Sequence, residues 1–172
     1  MPKKKSGARD AESAVFSRID ERHLEEACTV ATTAGALRIF RSRRRWTTAA
    51  KVVSRQGPIP IYFAVTDGTP TVRYEAELVE VHIDPNLNDE GMRALLRHRG
   101  ATVAGEEWDD TVETVYLIRG CRKLSAPFPQ DELVKVDGGM PVELNYTRAY
   151  ALVCRRSAVE PVPTEHLARE DA

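Results

Sequence analysis

Residues 57–81 read GPIPIYFAVTDGTPTVRYEAELVEV, and two runs within them decide the fold. In residues 59–65 and again in 72–81, apolar side chains recur with a period of two, and aromatic and β-branched residues are enriched. This period predicts two β-strands. Between the runs, Asp67 and Gly68 supply the chemistry of a tight turn, because glycine adopts positive φ without steric cost. We therefore expect an antiparallel hairpin around which the rest of the chain packs.

The composition is typical of a globular protein. The 172 residues are 42% hydrophobic and 30% charged, which suffices for one domain with its own core. No apolar run approaches the roughly 20 residues of a bilayer span, and residues 1–10, MPKKKSGARD, lack the apolar segment of a secretory signal. Cys28, Cys121 and Cys154 show no paired spacing. Together these features predict a cytoplasmic protein whose thiols are structural.

The order of the elements predicts an α+β fold. We expect a disordered basic arm at residues 1–10, a single domain at 11–156 and a flexible acidic tail at 157–172. In residues 10–34, apolar side chains recur at spacings of three and four, which predicts an N-terminal helix. Asp10 or Asp20 could serve as its N-cap, so the region is either one helix or a short piece followed by a helix. Outside the hairpin, we predict strands at 36–41, from 114 onward and at 146–153, and short helices after Trp46 and at 90–99. A small barrel with inserted helices would hide the edges of such a sheet.

Charge is unevenly distributed along the chain. The net charge is −1, yet no acidic residue occurs between Ala27 and Thr66. That stretch contains the basic residues Arg38, Arg41, Arg43, Arg44, Arg45, Lys51 and Arg55. A near-neutral total therefore conceals a basic face of the kind that phosphate groups require. We predict phosphate contacts for five of these residues, namely Arg43, Arg44, Arg45, Lys51 and Arg55.

The signatures of common enzyme classes are missing from the sequence. It contains no GxSxG elbow, no GxxxxGK[ST] loop and no GxGxxG. Its histidines and cysteines lack the spacing of a metal site. The acids within residues 106–110, which surround Trp108, fit either a solvated loop or a cation site. We expect a binding surface rather than an active site, with no cofactor.

Aromatic and polar side chains suggest how a base would be bound. Trp46 and Tyr62 have flat rings on which a base could stack, at about 1–3 kcal/mol per exposed ring, or they could be ordinary core aromatics. Asn145 and Arg148 have groups suited to the polar edge of a base. Asn145 could instead be a turn residue at a strand entry, and the arginine run could be a solvated face.

The segments PIPIYFAV…VRYEAELVEV and VYLIRGCRKLSAPFPQDELVKVDGGMPVELNYTRAYALV together resemble the PUA-like superfamily, particularly its EVE and YTH branch. The resemblance covers about residues 36–154 and includes Pro127, the turn at 131–133 and the polar bend at 145–148. It implies a mixed β-barrel that binds RNA, or DNA carrying modified bases, in an aromatic-lined pocket. It also places Trp46 in the pocket-forming segment after the first strand and makes Trp108 a candidate second wall.

We therefore predict a nucleic-acid binding module that recognises a modified or flipped base in DNA or RNA. Two alternatives belong to other classes. The chain could be a protein-interaction subunit of a larger defence or nucleic-acid-processing complex, with the N-terminal helix docking the partner. It could also be a small metal-dependent nuclease or hydrolase that uses the acids at 106–110.

Overall fold

The computed structural model describes residues 13–30, 37–86, 89–98 and 112–156. In chain order, its elements are β1 (Ser13–Ile19), α1 (Glu21–Val30), β2 (Leu37–Ser42), α2 (Thr47–Gln56), β3 (Ile59–Val65), β4 (Thr71–Ile83), α3 (Glu90–His98), β5 (Thr114–Pro129), a 3-10 turn (Gln130–Glu132) and β6 (Tyr150–Cys154). The predicted arm and tail, and Trp108 with its acids, lie outside the described residues.

The predicted hairpin is confirmed and forms the centre of the sheet. β3 and β4 pair antiparallel, with Ile61 opposite Ala76 and Phe63 opposite Tyr74. At the turn, Gly68 has a φ of 88°, a conformation that residues with a Cβ rarely adopt. The side chain of Asp67 accepts a hydrogen bond of 2.8 Å from the backbone N–H of Thr69, which closes the loop.

The six strands form one mixed sheet in the order β2-β5-β4-β3-β1-β6. Only β1 and β3 are parallel neighbours; the other pairs are antiparallel. Side chains from all six strands pack in one core cluster, which includes Val15, Phe40, Phe63, Tyr74 and Tyr116 and is joined by the partly buried Tyr150. The sheet is therefore curled around this cluster. Within the described residues, however, no ladder joins β2 to β6, and the predicted closed barrel is not observed.

The prediction of a helix in residues 10–34 is wrong for the first part of this region. Its first part is the strand β1, which lies between β3 and β6. Val15 packs in the inner core, whereas Ala14 and Phe16 pack on the opposite side of the sheet. A strand buried on both faces has a continuous apolar run, and this run also satisfied a helical spacing. The helix itself is confined to α1, at whose start the Asp20 carboxylate accepts a 2.9 Å hydrogen bond from the N–H of Arg22.

The remaining predicted elements are present with modest shifts of their ends. The helix after Trp46 is α2, which stops at Gly57, a residue with a φ of 80°. The helix predicted at 90–99 is α3, and its Met92 packs on the outer side of β2 and β5. The last predicted strand begins at Tyr150 rather than at residue 146. None of the described helices combines the length and the apolar character needed to cross a membrane.

Candidate nucleic-acid interface

A stack of four aromatic rings connects the two edges of the sheet. Trp46 follows β2, and its ring lies between Tyr116 of β5, at 4.2 Å between centroids, and Tyr150 of β6, at 4.7 Å. Phe40 of β2 extends the stack from the far side of Tyr116, at 5.5 Å. Because both faces of the indole are covered, Trp46 is only 1% exposed. Trp46 therefore has no free ring face on which a base could stack as predicted.

Backbone and hydroxyl contacts fix Trp46 in the stack. The backbone N–H of Trp46 donates to Oγ1 of Thr114 at 3.1 Å. That hydroxyl donates in turn to the backbone carbonyl of Arg44 at 2.7 Å. The next turn of chain is also anchored, because the N–H of Thr48 donates to the hydroxyl of Tyr150 at 3.3 Å. The connection between β2 and α2 is thus held against β5 and β6, which sets the direction of the arginines that precede Trp46.

One side of the stack borders a cavity of about 360 Å³, here called the aromatic cavity. Its lining includes Ser17, Arg18, His23, Phe40, Trp46 and Tyr116. Buried donor atoms of this lining without a hydrogen-bond partner within the described part of the chain include Nε1 of Trp46 and Nε of Arg18. A buried donor without an acceptor is costly, at about 1–3 kcal/mol. Both atoms are closed to solvent in this conformation, so an acceptor in the cavity would reach them only after a movement of the wall.

A second cavity of about 410 Å³, here called the arginine cavity, lies beside the first. It is lined by Arg44, Arg45, Thr147, Arg148, Ala149 and Tyr150, and all of its charged lining residues are arginines. Ala149 lines both cavities, which makes them neighbours. Two of the predicted phosphate contacts and one predicted base contact therefore meet in one place, although they come from separate segments of the chain.

Acidic side chains near the arginine cavity are few. Arg45 forms an ion pair with Asp84, whose backbone has a φ of 48°. Within the described residues, Arg44 and Arg148 form no ion pair. Glu143 interacts electrostatically with Arg148, but the main partner of Glu143 is Lys135, at 2.7 Å. The hydrogen bond from Lys135 holds the pKa of Glu143 below its usual value, and Arg148 adds a smaller effect in the same direction.

The other predicted phosphate contacts lie outside both cavities. Arg43 is exposed on the same connection as Arg44. Lys51 and Arg55 are exposed on α2, where Nε of Arg55 donates to the carbonyl of Lys51 at 3.3 Å. Arg38, in the same acid-free stretch, is instead buried and pairs with Glu26 of α1 at 2.6 Å. The basic stretch thus divides into a structural arginine and a set of exposed ones.

Two of the predicted base contacts lie away from the cavities. Tyr62 packs with Phe128 on the opposite side of the sheet and is 3% exposed. Its hydroxyl accepts a 3.0 Å hydrogen bond from the N–H of Arg156, and burial raises its pKa. A stacking role for Tyr62 needs an accessible ring face, and this packing leaves none. Asn145 is exposed in the segment before β6 and lines neither cavity.

The sequence did not predict a site role for three aromatic residues of the stack, Phe40, Tyr116 and Tyr150. Tyr116 and Ile118 alternate on β5, so the period of the strand indicates that Tyr116 faces the core. The sequence carries no signal that the rings of β2, β5 and β6 meet at one point. That contact depends on the curl of the whole sheet.

Two observations bear on the alternative functions, protein docking through the N-terminal helix and metal-dependent catalysis. The apolar face of α1 is used in the core, where Leu24 and Ala27 are buried, so docking through this helix would have to use its polar side. Across residues 13–30, 37–86, 89–98 and 112–156, no group of three or more histidine, cysteine or acidic residues is placed to hold a metal ion. The acids at 106–110 are not among these residues.

No protein-family model and no curated protein sequence matches the chain. Among solved structures, the N-terminal domain of McrB from Staphylothermus marinus is similar. The two share 12% sequence identity with a TM-score of 0.34, over 69% of this chain and 77% of that chain.

Proposed function

We propose that this protein binds nucleic acid, with phosphate groups in the arginine cavity and a base in the aromatic cavity. The observation that carries the proposal is the convergence of Arg44, Arg45 and Arg148 on one cavity without an acidic side chain in its lining. Like charges from distant segments repel one another, so gathering them costs stability unless an anion is bound between them.

Arginine is well suited to this role. Its planar guanidinium presents several N–H donors in a fixed fork that matches the oxygens of a phosphate. Arg44 and Arg148 have these donors available, whereas Arg45 shares its own with Asp84. Arg43, Lys51 and Arg55 would extend the contact along the backbone on either side of the cavity. Such contacts fix the position of a strand but do not read its sequence.

The aromatic cavity accounts for the finer part of the proposal, the binding of a modified or flipped base. Its volume of about 360 Å³ lies within the range of small-molecule sites, and the rings of Phe40 and Tyr116 form part of its wall. After a movement of the wall that exposes them, the unpartnered donors of Trp46 and Arg18 would suit a ligand with acceptor atoms, such as the carbonyl oxygens of a base. In this arrangement Trp46 contributes the edge of its ring rather than a face. Asn145 and Trp108 would contact flanking nucleotides.

A salt titration tests the phosphate contacts. Binding of labelled single-stranded and duplex DNA and RNA would be followed by fluorescence anisotropy between about 50 and 200 mM salt. We expect the logarithm of the affinity to fall linearly with the logarithm of the salt concentration. The slope should be roughly −2 to −3 for the three arginines of the cavity, and roughly −4 to −5 if Arg43, Lys51 and Arg55 contact phosphates as well. An affinity that does not change with salt, for every nucleic acid tested, would overturn the proposal.

A second experiment tests the base site separately. Trp46→Phe removes the indole N–H and keeps an aromatic ring in the stack. The ligands would be two duplexes that differ only at one position, where one has a mismatched base and the other has an abasic site. We expect the wild type to prefer the duplex with the base, since unpairing a mismatched base costs little. The variant should lose this preference but keep its salt slope. A wild type that binds the two duplexes equally would remove the base from the proposal. A variant that keeps the full preference would remove the indole N–H as the group that contacts the base.

A further inference from the structure

Two cysteines from distant parts of the chain lie side by side. Sγ of Cys28, on α1, is 3.6 Å from Sγ of Cys121, on β5. Cys28 is half-buried, whereas Cys121 is buried in the core and its thiol lies 3.9 Å from the carbonyl of Leu24. The third cysteine, Cys154, is exposed at the end of β6. The sequence spacing gave no sign of this pair, because 93 positions separate the two residues.

We propose that Cys28 and Cys121 form a reversible disulfide site that closes on exposure to a peroxide or to a small-molecule disulfide. This inference is independent of nucleic-acid binding. A disulfide bond is about 2.05 Å long, so the two sulfurs need to approach by about 1.5 Å from their present 3.6 Å. The two residues lie on separate elements, α1 and β5, which pack against each other. The approach is therefore a small movement of a helix on a sheet.

The two thiols differ in burial, and this difference indicates which of them reacts with the peroxide first. Cys28 is the more accessible, so its thiolate attacks one oxygen of hydrogen peroxide, the O–O bond breaks, and the departing hydroxide takes a proton to become water. The sulfur of Cys121 then attacks the sulfenic acid sulfur of Cys28, and the second hydroxide leaves as water with the proton of Cys121. In sum, two thiols lose two electrons and the peroxide is reduced to two waters. Burial raises the pKa of Cys121, so this thiol stays protonated until its proton passes to the hydroxide that leaves Cys28.

The bond would act on one wall of the aromatic cavity. α1 contributes His23 to that wall, and its Glu26 pairs with Arg38, which also lines the cavity. Besides the core contacts of Leu24 and Ala27, α1 is held by this ion pair and by a 3.1 Å hydrogen bond that the hydroxyl of Tyr74 donates to Glu21. A covalent link from Cys28 to β5 would therefore fix the helix and the cavity wall together. Oxidation is expected to stabilise this part of the fold, and reduction to release it.

The test uses the full chain, fully reduced and then treated with hydrogen peroxide or oxidised glutathione. We expect the number of thiols open to alkylation under denaturing conditions to fall from three to one. Peptide mapping without reductant should show Cys28 joined to Cys121, and dithiothreitol should reverse the change. Because the bond closes a long loop, the midpoint of thermal unfolding should rise by roughly 5–10 °C.

Two variants keep the result interpretable. Cys154→Ser removes the exposed thiol and should form the internal bond as the wild type does. Cys28→Ser, checked for folding by circular dichroism, should show no oxidant-dependent rise in the unfolding midpoint. If this variant does not fold, the peptide map of the wild type decides alone. Oxidation confined to Cys154, or a peptide map in which Cys28 and Cys121 are not joined after oxidant treatment, would overturn the proposal.

Discussion

Two arginine-rich regions of the protein differ in how their charges are compensated. On the outer side of the sheet, Arg119 of β5 pairs with Glu77 of β4 at 2.8 Å, and Arg122 pairs with Glu75 at 3.1 Å. In the arginine cavity, only Arg45 has an acidic partner among the described residues. The two regions therefore differ in the position of their acids.

The difference follows from the local structure. In β4 the glutamates alternate with buried residues such as Ala76, so they share the outward face and meet the arginines of the next strand in register. Arg44 precedes a helix, and Arg148 precedes a strand. Among the strands that the structure describes, none pairs with either connection to supply an opposite charge in register. Unpaired charge is therefore left where the chain enters its regular elements.

The largest expected effect comes from removing the unpaired arginines. In the double variant Arg44→Ala and Arg148→Ala, affinity for DNA or RNA at low salt should fall by roughly 30-fold, as two exposed charge-assisted contacts of about 1 kcal/mol each are lost. The salt slope should become smaller by roughly two. Anisotropy titrations would measure both quantities.

The matched control removes the paired arginines instead. Arg119→Ala with Arg122→Ala deletes the same total charge from the other region. We expect its affinity to change by less than about threefold, through the net charge alone. Equal losses in the two double variants would mean that binding depends on overall charge, and the assignment of the arginine cavity would fail.

A second test of the difference between the two regions removes the acidic partners of the paired arginines. Glu75→Gln with Glu77→Gln leaves Arg119 and Arg122 in place without their carboxylates. We expect a second phosphate-binding face and a rise in non-specific affinity of about fivefold, which vanishes at high salt. Stoichiometry measured at saturation should increase as well. If affinity and stoichiometry stay unchanged, the absence of acids is not what distinguishes the two regions.

The sequence predicted the centre of the fold but not its first strand. The β3–β4 hairpin could be predicted because both its alternation and its turn are local. β1 could not, since it is buried on both faces and its apolar run fits a helix as well as a strand. Its place between β3 and β6 is set by a parallel pairing with residues more than 40 positions away, and short-range patterns do not encode such a pairing.

The candidate site was predicted in part for the same reason. The acid-free stretch drew attention to Arg44 and Arg45, and the final strand drew attention to Arg148. That these side chains line one cavity depends on β6 returning to the sheet edge and on Trp46 packing against Tyr150. The role expected of Trp46 assumed an exposed ring, but its neighbours Tyr116 and Tyr150 come from distant strands and cover both faces.

A smaller effect is expected from Asp84, the acid that pairs with Arg45. Asp84→Asn keeps the size of the side chain and tolerates the positive φ of 48°. Since the carboxylate competes with phosphate for the Arg45 guanidinium, its removal should raise affinity about two- to fivefold at low salt. Asn86→Asp, which adds a charge two positions away, serves as the opposite control and should lower affinity. A fall in affinity with Asp84→Asn would show that the carboxylate positions Arg45 for binding.

The smallest expected effect concerns stability rather than binding. The side chains of Arg119 and Arg122 are 43% and 67% exposed, so solvent screens their ion pairs, and their joint loss should lower the free energy of unfolding by only about 1 kcal/mol. That corresponds to a drop of roughly 2–4 °C in the unfolding midpoint. Arg44→Ala with Arg148→Ala should leave the midpoint unchanged or raise it slightly, because it relieves repulsion without breaking an ion pair. Thermal unfolding in low salt would separate the two cases. A larger loss of stability in the cavity variant would mean that its arginines serve the fold, and their absence of partners would no longer argue for a bound phosphate.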